Sequence, residues 1–267
     1  MPVQKVYIDN IDGLWPIIKN CRFDEKIGRT RSRFLYRGIS NADFSMTTSL
    51  RRNCKDQSAR LEHSILRNFE KYVAISEPYI SDSEWKAMVV GQHHGLPTRL
   101  MDWTYSPLIA MHFATSGVPL ENYEENDFAI WEIDIVEINS LLPIAYSNII
   151  KKHSAFLFTL EMLEQENISL EKYDADMGEN SLIVIEPPTI DQRIMNQFAY
   201  FAVIPQKMVH IETFLELCTT HTKKYIISKK IKWEVREMLD KLNANERIVY
   251  PGVDGLCMWL SRHYYVT

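Results

Sequence analysis

The stretch QHHGLPTRLMDWTYSPLIAMHFA, Gln92 to Ala114, carries most of the information in this chain. Its first half mixes polar side chains of many kinds: Gln92, His93, His94, Thr98, Arg99, Asp102, Trp103 and Thr104. A hydrophobic core has no use for such variety. Gly95 and Pro97 predict a rigid turn. Arg99 and Asp102 are spaced to pair, Trp103 offers a flat apolar face, and Thr104 offers a hydroxyl. The second half reads as a helix. Ser106 is a good N-cap, and Pro107 stands at the first helical position, where its missing N–H costs nothing. Leu108, Ile109, Met111, Phe113 and Ala114 leave that helix apolar nearly all round, as in a buried element. Polar loop residues held against a buried helix are a usual location for a functional site.

Outward from this stretch, the pattern is mixed. Phe34-Leu35-Tyr36 is a short β-prone run ending at Arg37-Gly38, and Ser40 to Asp43 is a polar turn. Phe128 to Val136 alternates with strand period, and Ser181 to Ile185, Tyr200 to Ile204 and Tyr225 to Ile227 read as further strands. Helices are predicted from Ile8 to Ile18 with Asp12 as cap, and from Gln57 to Ile75 with Leu61, Ile65, Phe69 and Val73 inward and Asp56 or Ser58 as cap. Others are predicted at Asp82–Val90, Phe156–Ile168, Ile211–Leu217, Ile231–Leu242 and Val253–Ser261. There is no regular β-α-β alternation. The expected class is α+β, a mixed or antiparallel sheet core with helical insertions. One domain is expected over 1–267, with a core of about 30–205 and a helix-rich part at 206–267.

Composition is that of an ordinary globular chain, with 46% hydrophobic and 24% charged residues. The N-terminus has no apolar run of the signal-peptide kind, and no stretch approaches the roughly 18 apolar residues of a membrane helix. Cys21, Cys54, Cys218 and Cys257 form no C-x-x-C pair, so a reducing, cytoplasmic setting and no membrane partner are expected. Net charge is −5, but from Arg22 to Lys71 twelve Lys/Arg face six Asp/Glu, while from Pro119 to Asp191 three face sixteen. Such asymmetry suits either two solvated faces or a basic half that holds an anionic ligand. The acidic total argues against a DNA-binding surface. Dinucleotide-fingerprint, P-loop, nucleophile-elbow and H-E-x-x-H motifs are all absent. Adjacent His93 and His94 have no second ligand pair at metal spacing, so no metal is expected.

Four ordered blocks resemble the FRG domain family, named for its aromatic-Arg-Gly motif. That motif occurs as Tyr36-Arg37-Gly38 and the central block as Gln92 to Ala114. A third block, R-I-x-x-Q-x-G-x-F, occurs as Arg193 to Phe201, and a fourth as Tyr250 to Leu256. Met101, Ala199 and Tyr250 depart from the family's Leu, Gly and Phe. A more remote resemblance is to ADP-ribosyltransferases of the Arg-Ser-Glu type. It implies that Arg37 holds NAD phosphates or ribose, that Asp102-Trp103-Thr104 and the following helix form the second motif, and that Gln197 or Glu186 completes the third.

These resemblances imply an NAD-using ADP-ribosyltransferase or NAD glycohydrolase, with NAD as co-substrate and a protein or nucleic-acid acceptor. Such activities usually belong to bacterial toxins and phage-defence effectors. The catalytic candidates are Asp102, Gln197, His93 and Glu186. The ligand-binding candidates are Arg37, Gly38, Gln92, Thr98, Arg99, Trp103 and Thr104. Arg chemistry suits phosphate, Trp103 could stack on a base, and a carboxylate would stabilise an oxocarbenium-like state. Blander roles stand beside these: Arg37 as an ion pair with Asp102 or Glu186, Arg99 as a structural tie, Trp103 and His112 as core. Two other classes remain open: a non-catalytic nucleotide- or phosphate-binding module, and a hydrolase acting on nucleic acid.

Overall fold

The computed structural model describes residues 3–25, 27–74 and 83–266. Nine strands occur among them: β1 Gln4–Ile8, β2 Arg22–Asp24, β3 Arg29–Arg31, β4 Phe34–Ile39, β5 Leu100–Thr104, β6 Phe128–Asp134, β7 Ile183–Ile185, β8 Ala199–Val203 and β9 Lys223–Ile227. Seven form one sheet in the order β1-β9-β6-β4-β5-β8-β7, and β2 and β3 pair separately as a hairpin. Only β1 and β9 run parallel; every other pair in the sheet is antiparallel. The class is α+β with a mixed sheet. Both β1 and β9 come from outside residues 30–205, so the ends of the chain supply one edge of the sheet.

One face of the sheet carries a continuous cluster that includes Leu35, Met101, Trp103, Trp131 and Phe214. The other face carries two. The first, around Tyr36, Ile130, Tyr225 and Val235, packs under the helix Pro107–Ala114. The second, around Leu100, Phe201, Trp85 and Tyr173, packs under the helices that follow β6 and precede β5. The boundary between these clusters falls between β4 and β5. These two strands share only the pair Tyr36↔Thr104, whereas β4 pairs with β6 over six positions and β5 with β8 over five. The sheet is therefore split at its centre.

The platform helix forms as its sequence predicts: Ser106 Oγ accepts from Ile109 N at 3.4 Å and Pro107 opens the first turn. His112 is fully buried in it, and its Nδ1 accepts from Arg236 Nη1 at 3.0 Å. Burial first, then the Arg236 charge, pushes the imidazole down to about 3. The folded value lies below the unfolded one, so this group contributes stability above about pH 6.5 and loses it as the pH falls toward about 3. Wild type should lose about 1–2 kcal/mol more than His112→Asn between pH 6.5 and 5 in urea unfolding. Identical pH dependence in both proteins would remove this assignment.

Several sequence expectations shift. The segment predicted as one helix over Ile8–Ile18 is β1 ending at Ile8, a turn Ile11–Leu14 and the short helix Trp15–Ile18. The cap is Asn10, whose side chain accepts from Gly13 N, and not Asp12. The helix predicted from Gln57 spans Ser58–Val73 with no side-chain cap, and Ile75 lies outside the described residues. Its fully buried ridge is Ser58, Glu62 and Leu66, one position round from the expected stripe, because Glu62 is neutralised by Arg99. The helix before the central block is Glu84–His93, capped by Ser83; Asp82 lies outside the described residues. In place of the helix Phe156–Ile168 there is a shorter one, Leu160–Gln165. β6 is buried along its whole length, so its alternation separates two packed faces rather than core from solvent.

Candidate functional site

At the split in the sheet lies a cavity of about 870 Å3, well within the range of small-molecule sites. Antiparallel pairing stops after Tyr36↔Thr104, and the Asp102 carbonyl, left without a ladder partner on the β4 side, accepts from Arg37 Nη1 at 2.6 Å. The guanidinium thus replaces strand pairing and holds the gap open. Its Nη1 also stands 3.8 Å from Asp102 Oδ2. The Arg37 side chain is 21% exposed and that of Asp102 59%, so the carboxylate, more than the cation, is offered to a ligand. Burial lowers the Arg37 pKa from its ordinary value; Asp102 opposes this and Arg52 reinforces it. Gly38 allows the approach that shapes this wall. A Cβ there would lie 2.0 Å from the Ala110 carbonyl oxygen and 2.6 Å from Ala114 N.

Asp102 is held from a second side. Gln92 Nε2 donates to both its carboxylate oxygens at 3.1 Å, and Gln92 Oε1 accepts from Thr98 Oγ1 at 2.6 Å. Thr98 Oγ1 in turn accepts from Leu100 N at 3.1 Å. That backbone donor commits the Thr98 proton to Gln92 and so orients the Gln92 amide nitrogen toward Asp102. Thr98 does not itself line the cavity; it acts through Gln92. Gln92 and His93 belong to the last turn of the helix Glu84–His93 and not to a loop, while Asp102, Trp103 and Thr104 lie in β5.

His93 lines the cavity and its Nε2 lies 2.7 Å from Asp191 Oδ2. Asp191 caps the helix Gln192–Gln197 by accepting from Ile194 N at 3.1 Å. Desolvation opposes ionisation of Asp191, but the Ile194 N–H and His93 outweigh it and hold its pKa below the ordinary value. Gln197 ends that helix, next to Phe198 in the left-handed region, and lines the cavity. Its Nε2 donates to the Val249 carbonyl at 3.2 Å, and its own carbonyl accepts from Thr104 Oγ1 at 2.7 Å. Trp103 borders the cavity but is 4% exposed and packs in the core cluster beside Met101 and Trp131.

Besides Thr98, two expected site residues stand outside the cavity wall. Arg99 does not pair with Asp102 and does not line the cavity. Its Nε donates to Glu62 Oε1 at 2.7 Å, its Nη2 pairs with Glu62 Oε2, and its Nη1 meets Asp174 Oδ1 at 2.7 Å. Those carboxylates outcompete Asp102 because they share its buried environment. Glu186 is exposed at the end of β7, outside the cavity wall; its backbone N–H donates to the Phe158 carbonyl. Reading the sequence missed Arg52, Arg193 and Asp43, all of which line the cavity. Arg193 opens the R-I-x-x-Q block, and that position was its signal. Arg51-Arg52 looks like any solvated charge pair and carries none. Among the described residues, no group of three or more His, Cys, Asp or Glu is placed to hold a metal ion.

Fold and site together define an α+β protein whose split central sheet opens a polar, arginine-lined cleft. The FRG domain family matches residues 32–122, and the chain carries an FRG domain. The matched span holds β4, β5 and the platform helix, hence Arg37, Gln92 and Asp102. No curated protein and no solved structure gives a match. No helix among the described residues is long and apolar enough to cross a membrane.

Proposed function

We propose that the cleft binds NAD and cleaves its nicotinamide–ribose bond, passing the ADP-ribosyl group to water or to a protein or nucleic-acid acceptor. The observation that carries this reading is the meeting of the Arg37 guanidinium and the open Asp102 carboxylate in one cavity of dinucleotide size. Arg37 would bind phosphate oxygens through the donors not spent on Asp102. The bond to nicotinamide breaks with its electron pair leaving on the base, and positive charge develops on the ribose. Asp102, oriented by Gln92, stabilises that charge. The acceptor oxygen then bonds to the ribose carbon and loses its proton, for which His93, in the cavity wall and held by Asp191, is the base.

A second reading, binding without turnover, is favoured by Gln197. Gln197, the third-motif residue that lines the cavity, is a neutral amide whose nitrogen is committed to Val249. Incubating the full chain with NAD and separating the products separates the two readings. Nicotinamide release is expected, falling on the order of 100-fold or more in Arg37→Ala and Asp102→Asn with folding intact. NAD binding without release would favour the second reading. Neither release nor binding would end both NAD readings.

A further inference from the structure

We infer that Arg52 and Arg193 form, with Arg37, an anion clamp for a diphosphate group. This rests on the reading of the cleft as the ligand site but not on NAD cleavage. The buried arginines elsewhere in the fold have their charge taken up by carboxylates. Arg99 is enclosed by Glu62 and Asp174, Arg236 by Glu246, and Arg262 by Asp240 and Glu246. Pairing is the normal condition for a cation removed from water. Arg52, which is exposed, and Arg193, which is half-buried, have no ion-pair partner among the described residues, and both stand in the cavity wall with their charge open to a ligand.

Their donors are also largely uncommitted. A guanidinium has five N–H groups. Arg52 spends Nη1 on the Thr47 carbonyl at 2.6 Å. The Arg193 guanidinium lies 5.1 Å from the centre of the Tyr250 ring, and its Nε is buried without a hydrogen-bond partner. Arg37 Nε is buried and unpartnered as well. Arg33 Nε and Arg236 Nε, outside the cavity, share this condition, so the draw on an anion comes from the unpaired Arg52 and Arg193 charges in one wall.

The three arginines come from three elements: β4, the helix Ser49–Cys54 and the helix Gln192–Gln197. The carboxylates in the wall are Asp43 and Asp102, and Asp102 is engaged by Gln92 and Arg37. A guanidinium fork matches two oxygens of one phosphate. Three forks on separate elements are better filled by two linked phosphates than by one.

Titration calorimetry with inorganic pyrophosphate and orthophosphate tests this. Wild type should bind pyrophosphate at least 10-fold more tightly than orthophosphate, and binding should weaken with added salt. Arg52→Gln and Arg193→Met, the latter keeping an unbranched chain on Tyr250, should each weaken pyrophosphate at least 10-fold without changing the melting temperature of the free protein. Arg193→Lys, which keeps the charge without the fork, should fall between. Arg60→Gln, exposed and outside the cavity, should bind as wild type. No pyrophosphate binding by wild type, or unchanged affinity in Arg52→Gln and Arg193→Met, would overturn the clamp. NAD cleavage whose KM is unmoved by those two variants would likewise remove the clamp while leaving the NAD reading in place. Pyrophosphate held as described, with NAD neither bound nor cleaved, would keep the clamp and end the NAD reading.

Discussion

Replacing Arg99 by alanine should destabilise the protein by about 3–5 kcal/mol, the cost of leaving a buried charge without its partner. Glu62 and Arg99 have side chains only 6% and 5% exposed, so water cannot replace the lost guanidinium. The damage should spread. Glu62 Oε2 also accepts from Gln206 Nε2 at 2.7 Å, and Asp174 Oδ1 accepts from Gln206 N at 2.9 Å. One arginine therefore ties the helix Ser58–Val73, the helix Leu170–Met177 and the turn after β8 to the start of β5. Denaturant unfolding followed by tryptophan fluorescence would measure the loss. The double variant Arg99→Met with Glu62→Leu should recover much of it, since removing both members of a buried pair is often nearly neutral. A loss under about 1 kcal/mol in Arg99→Ala would show that Glu62 is readily protonated or rehydrated.

Gly38→Ala should cost about 3 kcal/mol or more, at or beyond the upper end of overpacking penalties. The added methyl would meet the Ala110 carbonyl oxygen at 2.0 Å, the Ala110 carbonyl carbon at 3.0 Å and Ala114 N at 2.6 Å. These are backbone atoms of the platform helix, and no rotamer change relieves them. Either β4 or the helix must move, and both carry the site. Gly95→Ala is the control. Gly95 has φ +84° but open space around its Cβ position, so only the left-handed strain of about 1–2 kcal/mol applies. If thermal or denaturant unfolding finds Gly95→Ala the more damaging of the two, the close approach of β4 to the helix is not what requires glycine at 38.

Two kinds of information were local enough to read from the chain. The β-prone run at β4, the strand period at β6, the Ser106-Pro107 start and the apolar helix after it depend on residues within one or two turns of each other. They came through, and Gln92, His93, Asp102 and Thr104, which fall within one short stretch, line one cavity. Arg37 stood out by its aromatic-Arg-Gly context. β1 was lost because its five residues alternate too briefly to stand against the helix-like segment behind them.

What the sequence determined by itself is the class of the fold and a segment, Gln92 to Thr104, that supplies part of the cavity's polar wall. The tertiary structure decided which polar residues of that segment face the cavity and which hold the scaffold. Arg99 finds its carboxylates 37 and 75 residues away, whereas Asp102, three residues on, is turned to Gln92 and Arg37. Arg52 and Arg193 reach the same cavity from segments 141 positions apart. The physical reason is range. Helix and strand patterns arise from neighbours along the chain, but a charge chooses its partner by burial and distance in space, and those exist only once the sheet has formed and split.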